Sequence, residues 1–322
     1  MDLDGDGLTD IISGSWPGEI YFFKRLPNGD FAPPEKLKHR DGHIINVGGG
    51  IREVDGEVLF TGDAKYEVVG DKQVVVYNGK RYEFPKDKRV GITGCATAVC
   101  VVDWEGDGDY DLVVGDIRGS VWLIPNEGTP KERAFGSSER LLADGVPLRV
   151  RSGDAGPAVA DWDGDGDLDL LVGAGDGSVW LYENAGSRES PKLDSGRQII
   201  PPGVSVNRDP ERLQRGLRAK ICVADYNGDG LPDILLGDFS SVRRRFEPEQ
   251  QERIAGLKKK VDKAYRRYRE LRQQWQAATG SKKTALAAKT DEAFRTYWRL
   301  SSQLPLEYEY HGGVWLFIRK KR

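Results

Sequence analysis

Four acidic loops of one design limit what this chain can fold into: Asp2-Leu-Asp4-Gly-Asp6-Gly-Leu-Thr-Asp10, Asp103-Trp-Glu105-Gly-Asp107-Gly-Asp-Tyr-Asp111, Asp161-Trp-Asp163-Gly-Asp165-Gly-Asp-Leu-Asp169 and Asp225-Tyr-Asn227-Gly-Asp229-Gly-Leu-Pro-Asp233. Side-chain oxygens stand at positions 1, 3, 5 and 9 of each loop, and position 7 (Leu8, Asp109, Asp167 and Leu231) offers a backbone carbonyl. Glycines at positions 4 and 6 let the chain wrap tightly. This donor set suits a hard cation that takes about six to eight oxygens, so the spacing predicts calcium sites, up to four of them.

The same initial spacing opens an EF-hand, which also needs a bidentate Glu at position 12 and flanking helices. Here position 12 is Ser13, Val114, Val172 and Leu236, and each loop runs into a short apolar stretch ended by Gly, the pattern of a buried strand. Ten residues after position 9, three copies reach a second apolar pair with an aromatic, at Tyr21, Trp122 and Trp180. Each unit therefore reads strand, acidic loop, strand, Gly-rich turn, strand, with a fourth strand such as Gln198-Ile-Ile. First aspartates fall at 2, 103, 161 and 225, intervals of 101, 58 and 64. Units of about sixty residues that cannot bury both faces alone predict a radial array of four-stranded blades, a β-propeller.

These loops and the following Val172-Gly-Ala-Gly175 resemble the FG-GAP/VCBS repeat family, whose calcium-loop blades also build the N-terminal propeller of integrin α chains. The resemblance covers most of residues 1–242 and the strand near Val314. It implies a calcium-stabilised, extracellular propeller used for adhesion, ligand binding or as an accessory module. Asp161, Asp163, Asp165 and Asp169 take the side-chain ligand roles and Asp167 the carbonyl role. Glu105 departs from the pattern, and its longer arm makes the second loop the weakest match.

Two stretches break the period. Residues 53–84 contain strand-like runs at Glu57-Val-Leu-Phe, Lys72-Gln-Val-Val-Val-Tyr and Arg81-Tyr-Glu-Phe, with hairpin signals at Asp55-Gly56 and Asn78-Gly79; they read as a fifth blade without its loop or as a β-rich insertion, with a slight preference for the fifth blade. In the fourth copy the ten-residue gap becomes eighty-one, from Asp233 to Val314. Within it Ile254, Leu257, Val261, Ala264, Tyr268, Leu271, Trp275 and Ala278 alternate by three and four, the seam of one helix starting near Pro248 and stopping near Thr279-Gly280. A second helix, with Ala287, Phe294, Tyr297 and Leu304 on its apolar side, ends before Pro305, and so short a turn predicts an antiparallel, coiled-coil-like hairpin. The expected organisation is an all-β propeller of four to five blades over 1–242, a hairpin inserted in the last blade over 243–304, and a final propeller strand over 305–322.

From Arg243 to Leu300 there are seventeen Lys and Arg against seven Asp and Glu, net +10 in a chain whose total is −3. A basic hairpin suits a protein or anionic polysaccharide partner; nothing in the sequence resembles a nucleic-acid reading module. No apolar run is long enough to span a membrane. Met1 directly precedes the first ligand, which predicts that the natural chain starts upstream with the missing inner strand. Cytosolic free calcium is too low for weak sites, so the protein is expected outside the cell, in the periplasm or on the cell surface. Cys100, Cys222 and Ala158 share one slot and predict a small buried side chain on an inner strand, while Cys95 is too near Cys100 on one strand for a bridge.

Catalytic groups are scarce. His39, His43 and His311 sit in no catalytic motif, and Gly48-Gly-Gly50 lacks the residues of a phosphate loop. The sequence therefore predicts a non-enzymatic calcium-binding adhesion, ligand-binding or scaffold module with no catalytic residue. The alternative is a carbohydrate-active propeller, lectin-like or a polysaccharide lyase, with a site assembled from distant blade loops.

Overall fold

Strand β1 (Ile11–Gly14) follows the first acidic loop directly and pairs antiparallel with β2 (Ile20–Phe23), which pairs with β3 (Glu35–Lys36). This is a computed structural model, and it describes residues 1–54, 56–61, 64–77, 79–129, 131–207, 214–306 and 308–320. It is mostly β, with several small antiparallel sheets and two helices, and divides into two compact units. The first unit holds all four acidic loops; the second comprises Ser241–His311 with a short strand at Val206–Asn207.

Between the first and second loops lie β4 (Gly50–Val54), β5 (Glu57–Thr61), β6 (Ala64–Val69), β7 (Lys72–Tyr77), β8 (Lys80–Pro85) and β9 (Arg89–Thr93). They form two three-stranded sheets, β4-β5-β9 and β6-β7-β8, and β5 runs parallel to β9. This differs from the four-stranded antiparallel order of the second and third repeat sheets, and so does not give the strand order expected of a fifth blade. It has its own core, where Phe60 is packed edge-on by Tyr77, Tyr82 and Phe84. Asp55 and Asn78, the hairpin signals, lie outside the described residues.

The second repeat sheet is β10 (Ala98–Val102), β11 (Asp111–Gly115), β12 (Val121–Ile124) and β13 (Glu139–Arg140), in that order. A small hairpin, β14 (Leu142–Ala143) and β15 (Val146–Pro147), precedes the third sheet of β16 (Gly156–Ala160), β17 (Asp169–Gly173), β18 (Val179–Tyr182) and β19 (Arg197–Ile200). After β20 (Val206–Asn207), the fourth sheet is built on β21 (Leu217–Ala224) and β22 (Asp233–Arg243) and is completed by the distant β23 (Tyr308–Phe317).

The sheets stack because their middle strands are apolar on both faces. In β11, Leu112 and Val114 pack with Ile20 and Phe22 of the first sheet, whereas Val113 packs forward against Leu170 and Val172 of the third. Leu171, on the other face of β17, joins Ile234 and Leu236 of the fourth. The glycine ending each middle strand permits this approach: a Cβ at Gly14, Gly115 or Gly173 would stand 2.2, 2.3 or 2.4 Å from the carbonyl oxygen of Thr97, Ala155 or Ala219, at the start of the next sheet. The aromatics of the third strands tie the hairpins shut, as the indoles of Trp122 and Trp315 donate to Asp116 and Asp238, and that of Trp180 donates to the Ser178 hydroxyl. Cys222 corrects an expectation: Cys100 is half-buried and its thiol is pushed up to about 11 by burial, but Cys222, at the same register, is exposed on the fourth sheet.

In the second unit, α1 (Pro248–Ala277) and α2 (Gly280–Ser301) pack together through Tyr265, Tyr268, Phe294 and Tyr297. Every expected seam residue of α1 is buried or half-buried, and the positions between them are exposed. For the second helix the expected seam holds at Tyr297 and Leu304, both half-buried, and fails at the other two positions. Ala287 and Phe294 are exposed, while Leu286, Ala293, Tyr297 and Leu300 carry the shielded side. Alpha-2 has too few large apolar residues to fix its own phase, and Phe294 lies on the flank against Tyr268, with ring centroids 5.3 Å apart.

Candidate metal centres

Each loop turns back on itself through its two glycines, which all adopt φ between 70° and 99°, a region costly for any residue with a Cβ. The position-1 carboxylate accepts the position-6 amide in every copy: Gly7 to Asp2 at 2.7 Å, Gly108 to Asp103 at 3.3 Å, Gly166 to Asp161 at 3.1 Å and Gly230 to Asp225 at 2.9 Å.

The position-9 aspartates carry a role that the ligand pattern alone does not reveal. All four are buried, and each uses both oxygens. One oxygen accepts the position-2 amide (Leu3, Trp104, Trp162 and Tyr226, at 2.8 to 3.1 Å). The other accepts an amide just beyond the third strand (Arg25, Asn126, Asn184 and Arg319, at 2.7 to 2.8 Å). Asp10, Asp111, Asp169 and Asp233 thus staple loop to sheet. An ionised carboxylate has about four acceptor sites, so two remain for a cation.

Two loops bring their acidic ligands together. In Asp2, Asp4 and Asp10, and again in Asp161, Asp163 and Asp169, one oxygen from each residue lies within 4.8 Å of the others. Among the described residues the second and fourth loops hold no such trio of carboxylates. In the second, Glu105 reaches across to Asp111, and burial followed by this like-charged neighbour drives Asp111 well above the usual carboxylate range. In the fourth, the Asn227 amide donates to Asp229 at 3.0 Å and the loop is exposed. Asp6, Asp107 and Asp165 accept the position-7 amides of Leu8, Asp109 and Asp167 at 2.9 to 3.0 Å, and Asp229 accepts that of Leu231 at 2.9 Å.

The donor chemistry fits a hard cation. Asp4 Oδ1, Asp103 Oδ1, Glu105 Oε2, Asp109 Oδ1 and Asp167 Oδ1 are buried with no hydrogen-bond partner, and all five belong to the loops. Burial, then the charges of Asp165 and Asp163, raise the Asp167 carboxyl, and burial foremost raises Asp169. A divalent ion offsets both effects by supplying the missing partner and cancelling the repulsion.

Three residues outside the motif enter these sites. The Lys24 ammonium bridges Asp4 and Asp6, lying 2.8 Å from the latter, and is held strongly charged by those hydrogen bonds. It is a built-in cation in the first loop; the equivalent residues Pro125, Glu183 and Ile318 carry no positive charge, and that contrast is its sequence signal. Arg188 reaches from the third repeat to the Asp103 carbonyl at 2.8 Å, and Arg319 from the fourth donates to the Trp162 carbonyl. His39 and His43 lie outside the named strands, the amide of His39 donating to the carbonyl of His43 at 2.9 Å and His43 facing Asp41, whereas His311, expected in a loop or turn, lies in strand β23 and faces Glu309.

Comparison with known proteins matches the FG-GAP-like repeat to residues 103–172 and 161–236, spans that contain the second, third and fourth loops. The chain is also similar to integrin alpha-4 of Xenopus laevis, 25% identical in an alignment of 249 residues that covers 70% of this chain and 23% of that protein. The match thus spans about a quarter of its relative's length. The chain thus carries FG-GAP-like repeats over residues 103–236, with the same stapled loop at Asp2–Asp10, and is distantly similar to integrin alpha-4.

Proposed function

We propose that this chain is a non-enzymatic, calcium-dependent binding module of the extracellular space, with its repeat sheets arranged as blades of a β-propeller and its ions structural. The observation that carries this reading is the recurrence of one stapled loop with orphaned carboxylate oxygens, three of them in the expected ligand side chains Asp4, Asp103 and Glu105. The position-1, position-3, position-5 and position-9 side chains would hold the ion, with the position-7 carbonyl. Bound calcium then supplies positive charge where the loops crowd negative charge, and fixes each loop over the strand pair that follows it. The adhesive role is carried over from the likeness to an integrin α chain, and no helix among the described residues is long and apolar enough to cross a membrane.

The hairpin of the second unit is the partner-binding element in this reading. Its net +10 between Arg243 and Leu300 suits a polyanion, either an acidic protein face or an anionic polysaccharide.

Thermal unfolding in about 2 mM calcium and in chelator tests the reading. Sites with dissociation constants near 0.1 mM add roughly 1.8 kcal/mol each at that concentration. The Tm is expected to rise in calcium, and the combined Asp163→Ala and Asp165→Ala variant to lose part of that rise. Equal melting temperatures in calcium and chelator would overturn the proposal.

A further inference from the structure

Helices α1 and α2 expose three aromatic side chains, and all three lie on one side of the hairpin. Tyr265 is 42% exposed, Phe294 42% and Trp298 63%. On α2, Ala287, Asp291, Phe294 and Trp298 recur every three or four residues and form one stripe. Tyr268, Arg272 and Trp275 of α1 line a groove of about 360 Å³ together with Ala287 and Phe294, which fixes the part of α1 that faces the stripe. Tyr265 continues that side of α1, two turns before Arg272, with its ring 5.1 Å from that of Tyr297. By helical periodicity the other side of the seam carries Lys260 and Arg267 on α1 and Lys282 and Lys289 on α2, all exposed, and no exposed aromatic.

The hairpin is thinly packed. Val261 and Leu271 of α1 are buried, and no residue of α2 is. Helices take most of their stability from a packed face, and a third helix in this groove would bury Phe294 and Trp298 where α2 has nothing buried. From Ala287 to Trp298 the stripe runs about 16 Å, three turns of helix. The rim is basic. The Arg269 guanidinium stands 5.9 Å from the centre of the Tyr265 ring, Arg272 6.0 Å from that of Tyr268, and the Lys283 ammonium 5.1 Å from that of Trp275. A cation over a ring keeps N–H groups for a carboxylate, and Asp291 on the same side is already paired with Arg295.

We propose that this groove receives an acidic amphipathic helix of a partner protein, its apolar face covering Tyr265, Phe294 and Trp298 and its flanking carboxylates meeting Arg269, Arg272 and Lys283. Phe294 has no polar tip and lines a concave groove between two helices, which suits the convex apolar face of a third helix more than a sugar chain. A second copy of the hairpin is not the occupant, because it would bring a net charge of +10 against +10. This rests on the hairpin being the polyanion-binding element and narrows that role to one side and one class of partner.

The test is a fluorescence-anisotropy titration of a labelled synthetic peptide with the full chain. The peptide is a helix of about four turns with Leu at i, i+3, i+4 and i+7 on one face and Glu on the rest. A second peptide has the same composition with its Leu residues spread around the helix. The first is expected to bind at least about tenfold more tightly than the second, and Phe294→Ala and Trp298→Ala each to weaken it about tenfold. Arg269→Gln with Arg272→Gln weakens it most at low salt, whereas Lys260→Gln with Lys289→Gln, on the other side, changes it by less than about threefold. Trp298 is the decisive position, since it is 63% exposed and its removal takes nothing from the seam. Wild-type affinity in Trp298→Ala, at unchanged helicity by circular dichroism, overturns the proposal. Equal binding of the two peptides overturns the groove but leaves the polyanion reading standing. Binding by neither peptide also overturns the groove; a sulfated polysaccharide that then still binds keeps the polyanion reading, with a carbohydrate as the occupant.

Discussion

Asp169 receives the Trp162 amide at 2.8 Å and the Asn184 amide at 2.7 Å, while its neighbour Asp165 receives only the local Asp167 amide at 3.0 Å and is exposed. The two residues are the same amino acid with separable duties. In Asp169→Asn the amide group turns an N–H toward one of the two donors and leaves it unpaired in a buried setting, a loss of about 2 kcal/mol. That loss is expected already in chelator, because the staple exists without an ion, and it grows in calcium, because Asp169 is also one of the ligands in the proposed site. Asp165→Asn keeps an acceptor for Asp167 and is expected to melt like wild type in chelator and lower only in calcium. Denaturant unfolding of both variants under both conditions checks the assignment; a fully calcium-dependent effect at Asp169 would remove the staple role. The ligand pattern was legible because loop ligands are neighbours in sequence. The staple was not, since its second amide lies 15 residues away in three copies and 86 in the fourth.

At the scale of elements, the same locality separates what the chain announces from what it conceals. The α1 seam was legible from spacing alone because eight apolar positions agree on one phase, whereas α2 offers too few to choose between Ala287 and Leu286. The stretch at 53–84 shows strand composition but not pairing, and its parallel β5–β9 contact joins residues 32 apart, which no alternation pattern encodes. For the hairpin, charge is the legible property and the partner is the open one. Arg266, Arg267 and Arg269 are exposed on α1, and replacing them with Gln preserves helix propensity while removing three charges. Binding to a sulfated polysaccharide is expected to weaken roughly tenfold at low salt, with a shallower salt dependence than wild type. Unchanged binding by the triple variant would place the polyanion elsewhere.

For the molecule as a whole, the stacking of sheets is the property that ties sequence to architecture, and glycine reports on it. Gly173 ends the middle strand of the third sheet, where a Cβ would meet the Ala219 carbonyl oxygen at 2.4 Å. A backbone carbonyl at the start of the next sheet cannot move without shifting that sheet, so Gly173→Ala is expected to cost about 1 to 3 kcal/mol through overpacking. Gly237 ends the equivalent strand of the fourth sheet, yet its nearest neighbour is Lys220 of its own sheet at 3.6 Å, an ordinary contact. Gly237→Ala is therefore expected to change stability by no more than about 0.5 kcal/mol. Denaturant unfolding of Gly14→Ala, Gly115→Ala, Gly173→Ala and Gly237→Ala measures the series directly. Three large losses and one small one mean that the three junctions are closed against a neighbouring backbone and Gly237 is not; four equal losses mean that another backbone lies against Gly237 as well.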